Sequence, residues 1–134
     1  MLKNFPMNIK GFHPFGDLIG LRFTKLDKGY SQCTLDVVEK LFNPHKVVHG
    51  GVMYSMADTG MGAAAYTNLG KNELCATIEI KINYFKAVRR GNLTCDTKVS
   101  FKGNKIVTLD SEIFNDGQIV AKALGTYSIF ELKD

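Results

Sequence analysis

Between Val47 and Gly70 the chain runs without a lysine or arginine, its longest such stretch, and Gly50 to about Thr67 within it reads as a helix rich in alanine and methionine. Val52, Met53, Met56, Ala57, Met61, Ala63, Ala64 and Ala65 occupy more than one face of that helix. A helix apolar almost all round has to be wrapped by a sheet or capped by a second subunit. No other long helix is legible, so the covering layer must come from strands. Gly60 and Gly62 each cost a helix interior roughly 1 kcal/mol relative to alanine, a penalty that close backbone packing could offset.

Behind an irregular segment, 1–17, punctuated by Pro6, Gly11, Pro14 and Gly16, the residues from Leu18 to Val38 read as two strands turning at Asp27-Lys28-Gly29. Residues Asn43 to Gly51 read as a loop. After the helix the period becomes two: Ile78, Ile80, Ile82 and Tyr84 alternate with Thr77, Glu79, Lys81 and Asn83, which predicts a strand with one dry face. Leu93 to Phe101, Ile106 to Phe114 and Ile119 to Phe130 continue the pattern, with turns at Lys102-Gly103-Asn104 and Asn115-Asp116-Gly117. Four consecutive strands joined by short turns predict an antiparallel meander. The expectation is one α+β domain over residues 1–134, in the order two strands, one buried central helix, four strands.

Composition narrows the class. With 45% hydrophobic and 22% charged residues in 134, the chain can bury a core without a disulfide or structural metal. Cys33, Cys75 and Cys95 are odd in number and widely spaced, which suits small apolar fillers in a reducing, cytoplasmic setting. Met1 to Gly11 offers no apolar run of the kind a secretory signal needs, and residues 47–70 are too polar for a bilayer span. A net charge of +4 without an arginine-rich block points away from nucleic acid and toward a small anionic ligand.

Asp58 is the only acidic residue between Val47 and Gly70, with no lysine or arginine in that window to pair with it. A carboxylate in apolar surroundings costs several kcal/mol unless hydrogen-bonded, and such costs persist at functional sites. The alternative is a solvated stripe shared with Tyr54, Ser55 and Thr59. Gly50 and Gly51 stand at the helix start, where unpaired N–H groups and the positive dipole end could bind an oxygen that becomes negative during reaction. A plain Gly-Gly turn is the bland reading, and His49 beside it could be a base, a packed residue or a cap.

At these residues a family becomes recognisable. Asn43-Pro44-His45-Lys46-Val47-Val48-His49-Gly50-Gly51, followed by Met56-Ala57-Asp58, resembles the N-x-x-G-x-x-H-G-G…D signature of the hotdog thioesterases related to phenylacetyl-CoA and 4-hydroxybenzoyl-CoA thioesterases. Pro14-Phe15-Gly16, Thr77 to Tyr84, Val88 to Gly91, Gly103, Ile119-Val120-Ala121 and Gly125-Thr126-Tyr127 also look like family positions. Lys46 departs from the pattern where a loop glycine is usual, and Ala87 where a proline commonly follows Arg or Lys.

The resemblance implies a curved antiparallel sheet of about six strands around one helix, pairing of two copies through their sheets, and often a dimer of dimers. It implies hydrolysis of acyl-CoA thioesters. In that reading the Gly50 N–H polarises the thioester carbonyl, Asn43 helps bind it, Asp58 activates water or attacks directly, the Thr77 hydroxyl helps place the water, and His49 orients the loop. Gly51, Arg89, Arg90 and Lys86 are the expected contacts to coenzyme A, with Lys102 and Lys105 as lesser candidates and a solvated basic rim as the alternative. Neither metal nor cofactor is required, because a thiolate leaves readily. Two rivals are a non-catalytic acyl-CoA sensor and a hotdog dehydratase or hydratase, but no helix-turn-helix segment and no dehydratase Asp and His constellation is found. Helix geometry adds one further expectation. Gly50 and Asp58, eight residues apart, lie about 12 Å apart along a helix axis, so an antiparallel second copy is needed to bring one of each to a single thioester.

Overall fold

The computed structural model describes Lys3 and residues 5–133, so residues 1, 2, 4 and 134 of the expected domain lie outside the described part. The elements are α1 (Pro14–Ile19), β1 (Arg22–Asp27), β2 (Tyr30–Asp36), a 3-10 turn (Glu39–Leu41), α2 (Gly50–Tyr66), β3 (Glu73–Tyr84), β4 (Asn92–Lys102), β5 (Ile106–Asn115) and β6 (Gln118–Glu131). The strands form one curved antiparallel sheet in the order β1-β2-β4-β5-β6-β3. Helix α2 lies against β2, β3, β4 and β5. Met56 and Met61 from the helix meet Leu35, Leu93, Leu109 and Ile113 from the strands in a core closed to solvent. This is the wrapped helix that the apolar pattern demands. No helix of the described residues is long and apolar enough to cross a membrane.

Gly60 and Gly62 behave differently. A Cβ at Gly60 would come within 2.8 Å of Thr97 Oγ1 on β4, whereas at Gly62 the nearest atom is Tyr127 Cε2 at 4.0 Å. Of these two glycines, Gly60 is the one at a close approach of helix and sheet, where Ser31 Oγ also donates to the Gly60 carbonyl at 2.6 Å. The Asp116-Gly117 turn has positive φ at both residues, 49° and 86°, the hairpin geometry that the dipeptide signals.

Three expectations need correction. The segment 1–17 is not irregular throughout, and the first strand does not begin at Leu18. Pro14 opens the short helix α1 and Gly20, at φ 77°, closes it, the usual asymmetry of proline at the start and glycine past the end.

The four-strand meander is also incorrect. Only β4, β5 and β6 form one, while β3 pairs with β6 at the far edge and β2 takes the place beside β4. The connector 85–91 is no hairpin turn. It crosses the sheet pinned at both flanks, with Val48 N–H donating to Val88 O at 2.8 Å and Phe85 N–H to Val120 O at 2.7 Å. Strand periodicity carries burial, not the identity of the neighbour, so the crossing is invisible to it.

The third correction concerns the dry face of β3. A bulge between Thr77 and Glu79 reverses the alternation, and Ile78 is left 56% exposed. Thr77 and Tyr84 therefore both reach α2, the first at Asp58 and the second at the Gly50 carbonyl.

Candidate active site

Two clusters form along α2, one at its start and one at its middle. At the start, His49 caps the helix, its Nδ1 accepting from Gly51 N–H at 2.8 Å. The Gly51 N–H is thereby occupied, while the Gly50 N–H has no partner among the described residues. Tyr84 roofs Gly50 closely: its hydroxyl donates to the Gly50 carbonyl at 2.7 Å, and a Cβ at Gly50 would stand 3.0 Å from its ring. Asn43 organises the loop ahead. Its Oδ1 accepts from the N–H groups of His45 (2.9 Å) and Val47 (3.4 Å), and its amide nitrogen has no partner among the described residues. Lys46 sits in the left-handed region at φ 61°, which explains why a glycine suits that position.

The basic residues lie on the connector 85–91, all exposed. Lys86 borders the same recess as Gly50 and Tyr84. Arg89 and Arg90 are farther along, beyond the buried Val88, and the Arg90 carbonyl accepts from Asn115 Nδ2 at 3.0 Å. Lys102 and Lys105 flank the β4–β5 turn, away from either cluster.

At the middle of the helix, Asp58 is half-buried and its Oδ1 receives two hydroxyls, Thr77 Oγ1 at 2.7 Å and Tyr127 OH at 2.5 Å. The resemblance supplied Thr77. Tyr127 falls among the family positions but was given no role, because in the alternating run from Ile119 to Phe130 a tyrosine reads as ordinary core. Burial, followed by its hydrogen bond to Asp58, holds the Tyr127 phenol above the usual tyrosine range, so it stays a donor.

Asp58 also lines a cavity of about 290 Å³ whose other walls include Phe5, Phe12, His13, Leu21 and Phe23. The N-terminal segment forms this wall, and two devices hold it. Asn8 exchanges two hydrogen bonds of 2.7 Å with the backbone of Phe23, mimicking a strand partner at the free edge of β1. Phe5 meets Phe12, Phe23 and Tyr66 edge-on, with centroids 5.3 to 5.9 Å apart. A larger hollow of about 520 Å³ lies on the sheet face turned away from α2, among lysines and carboxylates remote from Asp58.

A carboxylate beside an apolar cavity can accept a proton from water or attack a carbonyl, and a free N–H at a helix start can hold an oxyanion. The structure joins Asp58 to Thr77 and Gly50 to His49 and Asn43. It leaves the two clusters at separate points of one helix, as the eight-residue spacing requires.

A single helix enclosed by one six-stranded antiparallel sheet defines the hotdog fold. The Haemophilus influenzae protein HI1161, described as a thioesterase, matches it at a TM-score of 0.92 over 100% of this chain and 98% of that one; at 21% identity the likeness establishes the fold. Sequence goes further. The family model described as the thioesterase superfamily matches residues 45–122, which hold the helix-start loop from His45 onward, Asp58 and Thr77. The SSO1253 protein of Saccharolobus solfataricus is 35% identical over 115 residues, 85% of this chain and 76% of that one. The acyl-coenzyme A thioesterase PaaI of Escherichia coli is 28% identical over 101 residues, 75% of this chain and 70% of that one. This chain belongs to the thioesterase superfamily and is a thioester hydrolase.

Proposed function

We propose that the protein hydrolyses acyl-coenzyme A thioesters, working as a homodimer with two sites shared between subunits. The observation that carries this reading is the Asp58 carboxylate set beside an apolar cavity and steadied by hydroxyls. The acyl group enters that cavity. The thioester oxygen lies on the free Gly50 N–H of the partner subunit, with the amide of Asn43 beside it. Asp58 takes the proton of an attacking water, or adds to the carbonyl and is then released by water. Collapse of the tetrahedral intermediate expels the coenzyme A thiolate, which takes up the proton. Lys86, Arg89 and Arg90 face the coenzyme A phosphates as exposed cations on one connector. The relative named as an acyl-coenzyme A thioesterase supports the substrate class.

Strand β3 supports the dimer. It is an edge of the sheet, and Ile78 lies exposed on it, so it offers unpaired backbone and apolar surface to a second copy. On the outer face Lys81, Lys98 and Lys122 stand among Asp96, Asp110 and Glu112 without an ion pair between them among the described residues, a surface suited to joining two dimers. Three free thiols fit a cytoplasmic setting.

Thiol release from benzoyl-, butyryl- and lauroyl-CoA tests the activity. Asp58→Asn should leave the protein folded and lower turnover on the best of these by about a hundredfold or more. Near wild-type turnover by the purified variant would refute the role of Asp58. Binding of all three without thiol release would favour a sensor.

A further inference from the structure

The two hydroxyls at Asp58 come from directly opposed residues. Thr77 on β3 faces Tyr127 on β6 in the sheet register, just before the bulge that carries Ile78 out of alternation. Both reach the same oxygen, Oδ1. The Tyr127 phenol has one hydrogen and two acceptors on the same residue, Oδ1 at 2.5 Å and the main-chain carbonyl of Asp58 at 2.7 Å. Tyr127 as a whole is 2% exposed, so its hydroxyl has little freedom to move. Oδ2 has no partner among the described residues, and it is not sealed from solvent.

We propose that Tyr127 is a positioning residue for the reaction: with Thr77 it holds Oδ1 and locks the Asp58 side chain so that Oδ2 is the oxygen presented to water or substrate. This rests on Asp58 being the reactive carboxylate. A carboxylate on a free rotor would offer either oxygen in many orientations, and reaction needs one oxygen aligned within about 3 Å of its target. A contact from Tyr127 to both the side chain and the backbone of Asp58 fixes the rotor relative to the helix that carries it. Burial of the phenol serves the same end, because a donor that does not ionise keeps the contact over the working pH range.

The test uses Tyr127→Phe, which removes only the hydroxyl, with the fastest-hydrolysed acyl-CoA of the three above and its non-hydrolysable thioether analogue. kcat should fall by about tenfold or more, while KM and the dissociation constant of the thioether stay within about twofold. In an Asp58→Asn background the same change should cost less than about twofold, since a residue acting through Asp58 has nothing left to position. Unchanged kcat in the single variant, or an equal loss in both backgrounds, overturns the proposal. If Asp58→Asn itself keeps full activity, the parent reading fails instead, so the two failures are distinguishable. Should Tyr127→Phe not fold, the wild-type protein answers by proton NMR. A far-downfield hydroxyl resonance assigned to Tyr127 should move upfield in Asp58→Asn, and its absence from wild type or its indifference to Asp58 overturns the inference.

Discussion

Asp58 shows how a residue can be legible in kind and not in company. Its isolation in an apolar window marked it as a carboxylate with a use, and the compensation that such a group needs is present as two hydroxyls on Oδ1. Neither donor is near it in the chain, and Tyr127 comes from the last strand. His49, open between base, packing and cap, caps the helix. The solvated stripe with Tyr54, Ser55 and Thr59 does not describe Asp58, which turns toward Tyr127 and the cavity. The Tyr127 phenol also has a consequence for stability. Because burial raises its pKa, the folded protein keeps this proton where the unfolded chain loses it. The contribution is complete below about pH 10 and is lost as pH rises above it, by at most about 1.4 kcal/mol per pH unit for one proton. Urea unfolding midpoints should therefore fall between about pH 9 and 11, and less steeply in Tyr127→Phe. Equal slopes for the two proteins would show that Tyr127 carries none of the alkaline loss.

At the scale of elements, α2 carries the plan of the domain, and its two interior glycines separate packing from propensity. Gly60 has a Cβ-sized gap missing, since Thr97 Oγ1 behind it is buried and bonded to Ser111 at 2.7 Å. Gly62 meets nothing closer than ordinary contact. Gly60→Ala should cost about 1–2 kcal/mol net, the overpacking outweighing the better helix former, whereas Gly62→Ala should be neutral or gain up to about 1 kcal/mol. Urea melts of both variants decide it, and equal effects would mean that helix and sheet are less closely packed at Gly60 than the distances indicate. Strand β3 makes the complementary point. Its alternation was legible, but the bulge arises from its pairing with β6, where Thr77 faces Tyr127 and Glu79 faces Thr126, distant partners that no local pattern names. By moving Thr77 to the helix side, that bulge puts the hydroxyl within reach of Asp58.

At the scale of the molecule, the proposed site requires two chains, because Gly50 and Asp58 stay about 12 Å apart along the axis of the helix they share. Asp58→Asn damages one cluster and Asn43→Ala the other; Gly50 itself is not substituted, because Tyr84 leaves no room there for a side chain. Mixed refolding of the two should return about a quarter of wild-type activity, since about half the dimers are mixed and each holds one intact site. If both variants fold and exchange subunits yet the mixture stays inactive, the sharing of sites is wrong. The sequence by itself determined the one-helix α+β class, the strand spans after the helix, the helix-start loop and the lone carboxylate, because each rests on periodicity, turn residues or a contiguous motif. The tertiary structure alone decided the crossing of β3 to β6, the bulge beside Thr77, the cavity wall built by the N-terminal segment and the contact of Tyr127 with Asp58. Each of these depends on which distant segment lies opposite, and a side-chain pattern records whether a position is buried without recording against what.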